Sequence, residues 1–77
     1  MNPPKYKKDD EVLFSVIPFG EIKPVTVTGK IYIVDRYGTF EQNKEVSYDI
    51  FVDDWLDTNR PCLIKHIVES NIHKKVN

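Results

Sequence analysis

Seventy-seven residues, 40% of them hydrophobic, supply one small core and exclude a second domain. Eleven basic side chains against twelve acidic ones leave a net charge of −1, so no overall field draws the chain toward nucleic acid or acidic lipid. The lone cysteine, Cys62, cannot close an internal disulfide, and no apolar run has the length of a signal peptide or membrane span; a cytoplasmic protein with no membrane partner is expected.

The apolar residues are those of strands. Nine Val and eight Ile stand against three Leu and no Ala, and β-branched side chains fit a pleated surface whereas Leu and Ala favour helix. The excess of Lys over Arg, with frequent Ile and Asn, is what AT-rich codons encode and points to a low-GC bacterium or one of its phages. Residues 1–8 include Pro3 and Pro4 and show no apolar periodicity, which predicts a flexible N-terminal arm ahead of a folded domain over residues 9–77. Val12, Phe14 and Val16 then alternate with Leu13 and Ser15 to mark a first strand over 11–17, stopped by Pro18, Gly20 and Pro24. The longest period-two run follows: Val25, Val27, Gly29, Ile31 and Ile33 share one face, and Thr26, Thr28, Lys30 and Tyr32 share the other. Gly29 interrupts the inward face, where a missing side chain permits sharp coiling, a bulge or the close approach of another backbone.

Residues 35–38 read as a turn that the polar stretch 41–45 extends into a long hairpin loop. Val46, Tyr48, Ile50 and Val52 form the inward face of a third strand, with Ser47, Asp49 and Phe51 outward. After a loop over 53–61, residues 62–67 make a fourth strand and 68–71 suit a single 3₁₀ turn. Residues 72–75 are left for a short last strand.

This order of elements resembles that of SH3-like barrels, and short motifs are similar too. "DDEVLF" at residues 9–14 resembles the "GDxV" opening of such barrels, with Asp9 where glycine is usual. "TGKIYIVD" at 28–35 is similar to the "GxVxxID" strand of KOW-type and phage-associated barrels. "YDIFV" at 48–52 resembles their third strand, and "LIKHIVESNI" at 63–72 their closing strand, 3₁₀ turn and strand. The resemblance implies an all-β, five-stranded SH3-like barrel with a short 3₁₀ turn before the last strand. It carries over no binding residues, because a fold of this kind hosts many functions.

Candidate chemistry is sparse. Cys62, His66 and His73 lack a fourth ligand and tight pairing, so no metal or other cofactor is expected. On a regular strand Cys62 and His66 lie about 13 Å apart at ~3.3 Å per residue, too far for a thiol and its base, and no catalytic residue or enzyme is indicated. Asp49, Asp53, Asp54 and Asp57 lack the glycine and terminal glutamate of a calcium loop and read as a solvated acidic loop. Beside these acids Phe51 and Trp55, with Tyr32, Tyr37 and Phe40, make a candidate aromatic binding surface to which Phe19 can add. The opposing expectation is that Trp55 and Phe19 fold back over the ends of a small barrel.

Charge is uneven: residues 35–57 carry −5, whereas 1–8 and 58–77 carry +3 each. With first and last strands paired antiparallel, Lys5, Lys7 and Lys8 approach His73, Lys74 and Lys75, and the five lysines form a candidate basic rim. The expected function is a non-catalytic protein-interaction module, a small bacterial or phage-associated accessory protein that binds a protein partner through its aromatic surface or an open sheet edge. The alternative is a nucleic-acid-binding barrel that lands phosphates on the basic rim.

Overall fold

A computed structural model of the chain describes residues 3–35 and 45–76. Five strands are joined by loops and two 3₁₀ turns: β1 (Glu11–Val16), β2 (Val25–Asp35), β3 (Ser47–Val52), a turn at Trp55–Asp57, β4 (Cys62–Val68), a turn at Glu69–Asn71, and β5 (Ile72–Lys75). Neighbouring strands all run antiparallel in the order β4-β3-β2-β1-β5, which puts β1 between β2 and the last strand. The period-two pattern thus becomes an all-β sheet, with most strand ends within a residue of where the alternation stops.

Burial follows the same alternation over most of the sheet, but Ser47, expected outward, is buried along with Val46 and Tyr48. Val12, Phe14, Ile31, Val46, Tyr48, Ile50, Val52, Ile67 and Ile72 form the core, and Tyr6, Val16, Val27, Val34, Trp55 and Ile64 pack partly buried around it. Each fully buried aliphatic or aromatic side chain contributes about 1.5–3 kcal/mol relative to exposure, so a core of this size has little to spare.

Three bulges interrupt the ladders. Between β2 and β3, Ile31 pairs with Ile50 but Ile33 pairs with Asp49, so β2 uses one more residue than its partner. The extra residue inverts the parity of everything beyond it: Ile33, expected inward, is 46% exposed, and Val34 packs on the core in its place. Between β3 and β4, Ile50 pairs with Ile64 and Tyr48 with Ile67, leaving Lys65 and His66 across from Asp49. His66 adopts φ 62, and its backbone N–H donates to Asp49 Oδ1 at 3.1 Å, so a side chain replaces a lost ladder bond. The third bulge lies where β1 meets β5, between Leu13 and Phe14.

Gly29 permits a close approach. A Cβ placed there would fall 2.8 Å from the Phe51 carbonyl oxygen and 2.7 Å from Ile50 Cγ2, so β2 and β3 touch where the side chain is missing. Just before β1, Asp9 stands in the left-handed region at φ 75, its N–H donating to the Ile31 carbonyl at 2.8 Å. Glycine enters that region without the Cβ clash that an L residue carries. Asp9→Gly is therefore expected to raise stability by about 0.5–1 kcal/mol; a denaturant midpoint that falls instead would show that the aspartate side chain holds this turn.

Candidate functional site

The N-terminal segment meets the sheet at two carboxylates. Tyr6 stacks edge-on against Tyr48, with ring centroids 5.9 Å apart, and its N–H donates to the Tyr48 hydroxyl at 3.3 Å. That hydroxyl donates in turn to Glu69 Oε2 at 2.5 Å, and the same oxygen accepts the Lys5 N–H at 3.0 Å. A neighbouring acid, Glu45, accepts both the N–H and the hydroxyl of Ser70. Those two bonds, with Lys5 nearby, hold the Glu45 carboxyl below its ordinary value against the effect of burial.

The second carboxylate is Asp10. Its Oδ2 accepts the Lys7 N–H at 3.0 Å and its Oδ1 lies 3.5 Å from Lys75 Nζ. The Lys7 hydrogen bond is the main reason its carboxyl titrates below the ordinary 3.8, with Lys75 adding to it and burial opposing. A depressed folded-state pKa contributes stability that is present above the unfolded value and is lost as pH falls through the folded one. Thermal melts should accordingly place Asp10→Asn below the wild type at neutral pH, with the two converging as pH drops under 3.8. A gap that persists in acid would mean that packing, not charge, is what the variant loses.

These contacts bear on the basic rim. Lys7 and Lys75 flank Asp10, Lys5 lies beside Glu45 and Glu69, and Lys74 stands across from Leu13 on β1. Lys8 holds its Nζ 5.6 Å over the Tyr32 ring. Lys5, Lys7 and Lys75 are thus interleaved with carboxylates, which weakens the field offered to phosphate.

The described aromatic candidates disperse. Tyr37 and Phe40 lie outside the described residues. Tyr32, exposed in the β2 bulge, meets Lys8, while Trp55 packs partly buried on the core, its backbone N–H donating to the Arg60 carbonyl at 3.0 Å. Phe19 does the reverse of the capping expectation. A type II turn over Pro18–Glu21, closed by the Glu21 N–H on the Pro18 carbonyl and carrying Gly20 at φ +84, leaves Phe19 fully exposed.

Among the described aromatic candidates, Phe51 is the one that lines a concavity. On the outer face of β1, β2 and β3, Leu13 pairs with Thr28 and Lys30 with Phe51, and the Asp53–Asp54 corner rises beyond them. Together they line an open groove of about 670 Å³, within the range of roughly 300–1,000 Å³ common for binding pockets. Phe51 and Leu13 give it apolar surface, while Glu11, Asp53 and Asp54 outnumber Lys30. Phe51 and its acidic neighbours were legible as adjacent residues; Leu13, Thr26 and Lys30 enter only through strand register. Nearby on β1, Ser15 Oγ lies 2.6 Å from His73 Nε2 and 3.4 Å from Thr26 Oγ1, on the exposed strand surface.

With this geometry in place, the chain was compared with protein families, with curated proteins and with solved structures, and none of the three gives a match.

Proposed function

We propose that this chain is a non-catalytic protein-interaction module, built as an SH3-like barrel, that receives a partner segment in the groove beside Phe51. The barrel reading draws support from the strand order, with β1 between β2 and β5, and from three bulges and the Gly29 contact, since each of these bends and coils a sheet. The groove itself carries the functional reading. It is concave, mixes apolar side chains with charge, and has its floor on three paired strands with the Asp53–Asp54 corner beside it, so most of its shape is held before binding. Among the described residues Ser15 and His73 pair a hydroxyl with an imidazole, but they sit on open strand surface, where a reacting group would not be shielded from water.

A photo-crosslinking amino acid at Phe51 tests this reading against one at Lys65, on the exposed side of β4. Adducts with protein are expected at Phe51 and not at Lys65, and Leu13→Lys should abolish them. Oligonucleotide binding at physiological salt would overturn it if that binding survives Phe51→Ala and is lost when Lys5, Lys7, Lys8, Lys74 and Lys75 become Gln.

A further inference from the structure

The groove has a fitting occupant on this same chain, and we propose that it is the β1–β2 loop of a second copy: two molecules exchange loops, each seating Phe19 and Ile22 in the groove of the other. This rests on the protein-binding reading of the groove and names its partner.

The loop is built for display. Pro18 is buried and anchors it, the Pro18–Glu21 turn is closed by a 3.0 Å hydrogen bond, and Phe19 and Ile22 project with the latter 89% exposed. A single exposed apolar residue needs no explanation, but Ile17, Phe19 and Ile22 all stand exposed within six residues on one short loop. Because the turn already fixes the backbone, docking orders little that is not already ordered.

Charge matches as well. Three carboxylates, Glu11, Asp53 and Asp54, face one ammonium, Lys30, around the groove, and the loop carries Lys23 next to Ile22 with Glu21 on the other side. Seating Ile22 beside Phe51 brings Lys23 toward the acidic corner and leaves Glu21 for Lys30. Position also favours exchange over an open chain of molecules. Thr26 of the groove follows Pro24 of the loop by only two residues, so donor and acceptor adjoin on each molecule and a two-fold axis between them satisfies both contacts at once.

Analytical ultracentrifugation of the full chain, from low micromolar to millimolar, reads the result. The apparent mass should rise to that of a dimer and stop there. Phe19→Ser and Ile22→Ser, both at exposed positions, should each weaken the dimer by roughly 10–30-fold, the scale of losing an interface anchor. Lys23→Glu and Asp53→Lys should each weaken self-association, yet an equimolar mixture of the two variants should recover wild-type affinity, because both of its loop–groove contacts pair opposite charges. A chain that stays monomeric at millimolar concentration, a dimer indifferent to Phe19→Ser, or a mass that grows past the dimer would overturn the exchange. If Phe51 then still crosslinks to a different protein, the interaction reading stands and only its partner changes; if the groove is inert to both, the two fall together.

Discussion

Gly29→Val is expected to lower the unfolding free energy by about 3 kcal/mol, the upper end of what overpacking costs. A Cβ at this position meets three atoms of β3: Ile50 Cγ2 at 2.7 Å, the Phe51 carbonyl oxygen at 2.8 Å and Val52 Cγ2 at 3.1 Å. Methyl groups can turn aside. The carbonyl cannot, because the adjoining Lys30–Phe51 pair belongs to the β2–β3 ladder and moving that oxygen opens the sheet. Alanine already creates the clash and should cost about 1–2 kcal/mol, and the two methyls of valine add to it. Urea unfolding with an unchanged slope and a lower midpoint is the signature. An unshifted midpoint for Gly29→Ala would show that the strands do not touch there.

Tyr48→Phe should cost about 1.5–3 kcal/mol, because the lost hydroxyl donates to a charged acceptor and accepts from the chain at once. Without it the Glu69 carboxylate loses the Tyr48 proton and the Tyr6 N–H loses its acceptor. Amide exchange at Tyr6 should therefore quicken, which a simple loss of packing in the core would not single out. Alkaline pH gives a second reading. Burial pushes the Tyr48 phenol well above its ordinary 10.0, and the hydrogen bond to Glu69 raises it further. A raised folded-state pKa contributes stability that is complete below the unfolded value and is lost as pH climbs above it. Wild type and Tyr48→Phe should thus draw together above pH 10.0. Equal midpoints at neutral pH, with Tyr6 exchange unchanged, would exclude the hydroxyl as a link between the N-terminal segment and the sheet.

The strands were legible because alternation within one segment reports which face is buried, and no partner is needed to read it. Register is a relation between segments, and there the sequence falls silent. Nothing in Ile31-Tyr32-Ile33 says that β3 offers one residue fewer, so Ile33 reads as core and proves to be surface. His66 enters the left-handed region without being glycine, and the hydrogen bond that supports it comes from Asp49, seventeen positions away. The Tyr48 hydroxyl gathers Tyr6 and Glu69 from separations of 42 and 21 positions, which no local motif encodes. For Trp55 the sequence offers both display beside the acids and folding back, and the one-turn 3₁₀ element that carries it packs the side chain partly buried on the core. Phe19 departs in the opposite sense: its Pro-x-Gly setting marks a strand end, and the turn it builds leaves the ring exposed instead of folded back.

The hydrogen-bonded order also leaves β4 and β5 as its terminal strands, and terminal strands invite a neighbouring molecule to extend the sheet without limit. Here the invitation is poor. The strand β5 has only four residues, two of them Lys74 and Lys75, so a strand added alongside meets a short template that carries two positive charges. The longer β4 is bent at His66, where the left-handed backbone turns the ladder out of line next to Lys65. A straight incoming strand can register with one side of that bend but not with both. Small proteins rich in Val and Ile are at risk of growing into fibres, and in this one the same residue that spoils the regularity of β4 also makes it a bad seed.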